Sequence, residues 1–397
     1  MAAIFLQYGT WNRSTRSGAP ARRPGRRGLT SQNLISRDFW RGRRVFITGH
    51  TGFKGGWLTT WLTELGAQAT GYALPPDTTP SYFELCQLQR RMNSIVGDVR
   101  DYPSIESAMR EARPEIVFHL AAQSLVLRSY QEPIATFATN VMGTAHVLEA
   151  IRHIDSVRAV VIVTSDKCYE NDGSASRPYR ENDPMGGRDP YSASKGCAEL
   201  VTAAYRRAFF ETAGAAIASV RAGNVIGGGD WAQNRIVPDA MRAFTSGEEL
   251  MVRNPGSVRP WQHVIDPLCG YLTLAQRLCL EGRRWVGGWN FGPPAEQQIT
   301  VAALADALAS GFGRGHWRAA PGPKELYEAP ALRLDSTKAE RSLGWRPRLK
   351  VTAAIRLTAE WYHACVSGPD TDCYGLSARQ IRDYESLQPP DSAARSA

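Results

Sequence analysis

The sequence predicts an α/β protein: a doubly wound, mostly parallel sheet with a smaller C-terminal region interleaved with its end. Three observations predict it. Strand-like and helix-like segments alternate with short links from Arg43 to Arg221. The segment Glu115–Ala121 is almost continuously apolar, as a strand buried on both faces should be. The run Val45-Phe46-Ile47-Thr48-Gly49-His50-Thr51-Gly52-Phe53-Lys54-Gly55-Gly56-Trp57-Leu58 joins a β-branched strand to a helix-forming segment through glycines at three-residue spacing.

Taken in order, Arg43–Gly49 reads as the first strand and Lys54–Leu65 as the helix that follows it. Ala69–Leu74 is a second strand, ended by the Pro/Thr loop Pro75–Pro80. Ser94–Val99 is a third strand, Tyr102–Ala112 a helix and Glu115–Ala121 a fourth strand. The long helix Phe137–Ile151, the strand Ala159–Thr164, the helix Tyr191–Phe209 and the strand Ala216–Arg221 continue the alternation. After Asn224 the regularity fades into the loop Gly227-Gly228-Gly229-Asp230-Trp231 and mixed short elements.

The chain has 397 residues, enough for two domains or one large α/β unit at roughly 100–200 residues per domain. Its formal charge of +9 is concentrated at one end: residues 1–44 hold ten arginines and one acid, Asp38. The remainder is neutral and gives no electrostatic case for a nucleic-acid partner. No apolar run approaches the roughly 20 residues that span a bilayer, and no secretory signal is present, so membrane insertion is not expected. The seven cysteines form no C-x-x-C pair and have no nearby histidine set, so no metal site is expected. Free, mostly buried thiols in a reducing cytoplasm are the simplest account.

The glycine run is built to meet phosphate. Gly49 permits a tight turn, Gly52 lets phosphates approach the backbone, and Gly55 lets the helix pack closely. The helix N-terminus then offers N–H groups to an anion. Phe53 lies in the same loop, and His50 and Lys54 either add positive charge near a pyrophosphate or point to solvent. Asp98-Val99 ends the third strand, where Asp98 either contacts adenine or caps the helix at Tyr102. Ala121, ending the fourth strand, borders the same site. The second strand closes as Tyr72-Ala73-Leu74-Pro75, with neither the acid that binds a ribose diol nor an arginine, so these residues do not separate NAD from NADP. The pattern implies a Rossmann-type dinucleotide-binding domain over 41–225 and a mainly substrate-binding region over 226–385. A basic disordered extension over 1–40 and a mobile tail over 386–397 flank them.

Tyr191-Ser192-Ala193-Ser194-Lys195 carries the strongest chemical signal. Four residues apart on a helix, the phenol and the ammonium share a face. The ammonium is expected to lower the phenol's pKa so that it takes a proton from a sugar hydroxyl during oxidation. Ser165, Asp166 and Lys167 follow the fifth strand, at the sheet end where ligands bind. A hydroxyl, a carboxyl and an amine are more than oxidation needs. An acid can protonate a leaving hydroxyl, and an amine beside a ketone can remove the adjacent proton.

These segments resemble the extended short-chain dehydrogenase/reductase superfamily, and within it the CDP-glucose 4,6-dehydratases. The resemblance runs from about Arg41 to Tyr384. It is carried by the glycine run, by Thr164-Ser165-Asp166-Lys167-Cys168-Tyr169-Glu170-Asn171 and by Arg221-Ala222-Gly223-Asn224-Val225-Ile226-Gly227-Gly228-Gly229-Asp230-Trp231. Arg259-Pro260-Trp261-Gln262-His263-Val264 and Trp289-Asn290-Phe291-Gly292-Pro293 add to it. It implies retained NAD, CDP-D-glucose as substrate and CDP-4-dehydro-6-deoxy-D-glucose as product. In the implied route Tyr191, aided by Ser165, deprotonates the C4 hydroxyl during oxidation. Asp166 is the acid at O6 and Lys167 the C5 base. Gln123, Asn224, Arg235 and Arg259 would contact the nucleotide sugar, and Asn140 would organise the active-site backbone. His263 is either a substrate contact or a packing residue. Trp231 and Trp261 either stack on the base or pack. A homodimer is implied through the helices at Phe137–Ile151 and Tyr191–Phe209. A sugar-nucleotide epimerase or reductase on the same scaffold would need Tyr191 and Lys195 but not the Asp166–Lys167 pair.

Overall fold

In the computed structural model the described residues are 34–171, 173, 177–320, 332–368 and 371–387. The expected disorder of residues 1–33 and mobility of 388–397 therefore lie outside the described residues. The ordered body starts earlier than Arg41, however. Helix α1 (Arg37–Trp40) is capped by Ser36 and buries Phe39 and Trp40. Two large rings packed against the body outweigh the arginine-rich composition around them, and Trp40 lies against Phe118 with ring centroids 6.3 Å apart.

The chain continues through β1 (Arg44–Thr48), α2 (Phe53–Glu64), β2 (Gln68–Ala73), α3 (Tyr82–Leu85), β3 (Asn93–Val96), α4 (Tyr102–Ala112) and β4 (Ile116–His119). Next come α5 (Val126–Gln131), α6 (Pro133–Phe137), a π-turn over Ala138–Met142, α7 (Gly143–Arg152), β5 (Ala159–Val163), α8 (Pro190–Phe209) and β6 (Ala216–Ala222). The C-terminal part holds β7 (Val225–Ile226), α9 (Ile236–Ser246), β8 (Leu250–Val252), β9 (Val258–Arg259), β10 (Gln262–His263) and α10 (Ile265–Glu281). It ends with β11 (Gly287–Phe291), β12 (Ile299–Thr300), α11 (Val301–Phe312), β13 (Trp317–Ala319), α12 (Val351–Ser367) and α13 (Cys373–Ser386).

The central sheet has seven strands in the order β11-β6-β5-β4-β1-β2-β3, each pair parallel. Parallel strands need crossovers, and the helices of those crossovers cover both faces. That is why β4, β5 and β6 are buried along their whole length. One face carries a core with Trp57, Trp61, Leu268 and Leu272, and the other a core with Ile105, Met109, Val147 and Ile151. β11 comes from the region after 226 yet forms the sheet edge, its Gly287–Phe291 in register with Ala218–Ala222.

Local chemistry sets the helix starts. Asp189 accepts from Ser192 N at 2.9 Å, and Pro190 occupies the first turn of α8, where its missing N–H costs nothing. Asp101, not Asp98, caps α4 by accepting from Ser104 N. β3 ends at Val96, so Asp98 and Val99 lie in the turn beyond it. The helix expected over Phe137–Ile151 starts at Pro133 and passes through the π-turn, which contains the buried Asn140.

The cysteine expectation is corrected in part. Cys365 and Cys373 are bonded, because the link between α12 and α13 brings their Cα atoms to 6.0 Å. Cys86, Cys168, Cys197, Cys269 and Cys279 are free. Trp231 and Trp261 are packed in the core, and Trp231 sits edge-on to Tyr362. No helix among the described residues is long and apolar enough to cross a membrane.

Candidate active site

β1 and β4 are neighbours whose crossovers leave on opposite sides, so a crevice opens beyond their carboxyl ends. The glycine turn forms one wall of it. Gly49 has φ +76°, and a Cβ there would lie 2.6 Å from Ala121 N. A Cβ on Gly55 would collide with Gly49 O. These two glycines are demanded by the protein's own backbone. Gly52 is different: a Cβ there would make only an ordinary 3.5 Å contact with Gly49 O. It is the N-cap of α2 and brings no side-chain cap to the helix N–H groups. Phe53 lies against Gly227, at the start of the loop that follows β7.

His50 does not supply positive charge here. Its ring is fully buried, bonds Ser94 Oγ through Nε2 at 2.7 Å and lies edge-on to Phe83. Burial pushes its pKa down to about 4, so it is neutral. Lys54 does not point to solvent. Its ammonium lies 5.8 Å from the Tyr271 ring centroid, and burial with the charges of Arg235 and Lys195 pushes it down to about 8, against the pull of Asp166. It thus faces the catalytic end. Asp98 is held by Arg100, whose Nε donates at 2.8 Å and whose bonds keep the carboxyl below its ordinary range. Val99 is buried, and its carbonyl meets His146 Nδ1 at 2.9 Å.

The second wall carries the chemistry. Tyr191 and Lys195 stand one turn apart on α8, both buried. Lys195 Nζ reaches Val163 O at 3.5 Å, and burial pushes its pKa down to about 8. The expected depression of the phenol is not found. Burial pushes Tyr191 up to about 12, and the Ser165 hydroxyl and Arg235 pull it only partly back. Desolvation of a fully enclosed phenol exceeds what these neighbours return. Beyond β5, Ser165 Oγ donates to Asp166 Oδ1 at 2.9 Å and accepts from Lys167 N at 3.2 Å. Asp166 is buried, and desolvation raises its pKa against the charges of Lys167 and Lys54, which favours its protonated form. Gly223 lies against it, leaving 3.2 Å between a built Cβ and Asp166 Oδ2.

Arg235 donates to Asp230 Oδ2 at 2.9 Å and to Ser124 Oγ at 3.0 Å, and its charge reaches Tyr191 and Lys54. Asn224 follows β6 and accepts from Gln262 N through its carbonyl at 3.0 Å. Arg259 lies on the short β9, paired with β12. Gln123 and His263 are both engaged within the protein. The Gln123 side chain is spent on its own loop, donating to Thr136 Oγ1 at 2.9 Å and Leu125 O at 3.1 Å. His263 is buried edge-on to Trp57, accepts from Ile265 N through Nδ1 and is pushed down to about 3 by burial, so it is a neutral packing residue. Asn140 does organise backbone, bracketing Gln123 N and O at 2.9 and 3.0 Å and bonding Ser194 Oγ.

Three residues near the site were missed. Tyr271 on α10 is buried close enough to Asp166 for that charge to raise its pKa further, and its hydroxyl has no partner among the described residues. Glu199 and Arg221 form a buried ion pair below the catalytic turn. The Tyr191–Lys195–Glu199 spacing was a readable sign of one helix face; Tyr271 left no local sign.

A parallel seven-stranded sheet, a glycine turn at its switch point and a Tyr–Lys pair beside the fifth strand define a nucleotide-binding protein of the short-chain dehydrogenase/reductase type. Among such proteins, the chain belongs to the GDP-mannose 4,6 dehydratase family, whose model matches residues 46–358. It is 49% identical over 358 residues to a CDP-glucose 4,6-dehydratase from Salmonella typhimurium, covering 89% of this chain and 99% of the relative. It is 31% identical over 271 residues to a dTDP-glucose 4,6-dehydratase from Streptomyces antibioticus, covering 68% and 75%. In fold it is similar to a dTDP-glucose 4,6-dehydratase from Streptomyces venezuelae solved with NAD bound, with TM-score 0.69 and 24% identity, covering 80% of this chain and 96% of that one. A UDP-glucose 4-epimerase from Brucella ovis in complex with NAD gives TM-score 0.69 at 22% identity, covering 81% and 99%.

Proposed function

We infer that this protein is an NAD-dependent hydro-lyase that removes water from CDP-D-glucose to give CDP-4-dehydro-6-deoxy-D-glucose. One observation carries the reading. A Ser–Asp–Lys turn with a buried Asp166, whose pKa burial raises, stands beside a Tyr–Lys pair, in a chain 49% identical to a CDP-glucose 4,6-dehydratase across nearly its full length. Oxidation alone does not need that turn.

The crevice suits a dinucleotide. Gly52 and the uncapped start of α2 leave backbone N–H groups for a pyrophosphate, and nothing in the protein itself requires glycine at position 52. Gly49, Phe53, Gly55, Asp98, Val99 and Ala121 would border the cofactor, with Tyr191 and Lys195 at its reactive end. When bound, NAD supplies the oxidant at C4 and the reductant at C6, so no net redox change results.

The residues then divide the work. Tyr191, with Ser165 beside it, takes the proton of the C4 hydroxyl. Lys195 supplies positive charge one turn below. The ketone acidifies C5–H, which Lys167 removes, and C5 takes a proton back when C6 is reduced. Asp166 gives its proton to the departing O6 hydroxyl. Arg235, Arg259 and Asn224 would contact the nucleotide diphosphate or the sugar.

The working unit is a homodimer. Ile134, Met142 and Leu200 are 81%, 51% and 60% exposed on the paired helical run 133–152 and α8, an apolar face that a second copy would cover. The proposed substrate and product are water-soluble nucleotide sugars, which supports the cytoplasm as the site of the reaction. The test is to offer CDP-, dTDP-, GDP- and UDP-glucose separately to the NAD-loaded protein. A product lighter by one water, formed fastest from CDP-glucose without added reductant, is expected. Inversion at C4 without water loss would overturn the reading.

A further inference from the structure

The turn that carries Ser165, Asp166 and Lys167 is fastened on both sides by one buried ion pair. Before the turn, Thr164 Oγ1 donates to Glu199 Oε1 at 2.5 Å. After it, Tyr169 OH accepts from Arg221 Nη1 at 2.5 Å. Glu199 and Arg221 meet face to face, with Arg221 Nε and Nη2 each 2.8 Å from a different carboxylate oxygen. Their side chains are 5% and 4% exposed. Ser219 Oγ adds a bond to Glu199 Oε2 at 2.6 Å. On the far side, Tyr169 OH donates to Asn290 Oδ1 at 2.8 Å, and the Asn290 amide holds Tyr179 O at 2.9 Å.

The arrangement is costly for packing alone. A buried ion pair of this kind is commonly no better for stability than apolar residues of the same volume. Its partners are also specific. Glu199 stands one turn after Lys195 and two after Tyr191 on α8, and Arg221 stands on β6 next to β5. The pair therefore joins the helix that holds the phenol to the two residues, Thr164 and Tyr169, that bracket the acid and the base.

We propose that Glu199 and Arg221 are positioning residues that fix the register between the oxidation pair on α8 and the elimination turn 165–167. Resting on the dehydratase reading above, the inference makes this clamp govern the water-loss step more than the oxidation step. An acid displaced by about 1 Å can lose about a hundredfold in rate.

The experiment uses NAD-loaded protein with CDP-glucose and the variants Thr164→Val and Tyr169→Phe, which keep side-chain shape while cutting one arm each. Three quantities are read: bound reduced cofactor during turnover, solvent deuterium entering C5, and thermal unfolding. The expected result is C4 oxidation within about threefold of wild type, deuterium entry slowed about tenfold or more, and reduced cofactor accumulating on the protein. Thr164→Ser, which keeps the hydroxyl, is expected to behave as wild type. If oxidation and deuterium entry fall together in parallel with the folded fraction, the pair is structural only and the proposal is overturned. If wild type itself forms no keto-deoxy sugar, the dehydratase reading fails first, and that result is distinct because it needs no variant.

Discussion

At the glycine turn, backbone meets backbone: Gly49 against Ala121 N and Gly55 against Gly49 O leave no room for a side chain. At the turn after β5, side chains from α8, β6 and the Tyr169 segment converge on a buried charge pair. The first wall is held by steric contact of backbone with backbone, Gly55 against Gly49 within the glycine run and Gly49 against Ala121 across the neighbouring strand. The second is held by electrostatics between residues 22 apart and more. A glycine motif can therefore be recognised locally, whereas the support of the catalytic turn exists only once the sheet has formed.

The contrast can be broken most sharply at Tyr191, on the second wall. Tyr191→Phe is expected to lower turnover roughly 10²–10⁴-fold with folding intact, measured as product formed per folded site. A variant at wild-type rate would remove the phenol from the mechanism. Arg221→Met tests the electrostatic wall by leaving Glu199 buried and unpaired. It is expected to lose about 3–5 kcal/mol in urea unfolding, and a loss under about 1 kcal/mol would show the pair to be dispensable. Gly55→Ala tests the steric wall and should cost about 3 kcal/mol in the same assay, with weaker NAD binding by calorimetry.

A smaller effect comes from titration. Burial pushes His50, His119 and His263 down to about 4, 3 and 3. In the unfolded chain each would take a proton near pH ~6.5. Their contribution is thus complete above that pH and is lost as pH falls from there towards about 4. Asp266, pushed up to about 7 by burial, works oppositely, because the folded protein holds its proton while the unfolded chain releases it. His263→Phe is expected to flatten the acid-side stability slope by about 1.4 kcal/mol per pH unit between about pH 5 and 6, read by urea unfolding at each pH. The smallest effect is at Ser94, which holds the buried His50 ring. Ser94→Ala should cost about 1 kcal/mol and leave turnover unchanged.

Much of this molecule was written locally. The alternation of strand and helix, the glycine turn and the Tyr191–Lys195 spacing each follow from neighbours in sequence, and the parallel sheet bears out the first of them. His50, Gln123 and His263 look like ligands in a motif, yet tertiary neighbours take up their polar atoms or enclose them: Ser94 for His50, Thr136 for Gln123, Trp57 and Ile265 for His263. Asp98 read as either an adenine contact or a cap; β3 stops at Val96, and Asp101 takes the capping place.

By itself the sequence determined the sheet, the glycine turn and the positions of the candidate reactive groups, because periodicity and short spacings act within one element. Only the tertiary structure decided how each of those groups is shifted in its titration. Burial drives His50 neutral, raises Tyr191 and Asp166 and lowers Lys195 and Lys54, and burial depends on what the rest of the chain lays over each of them.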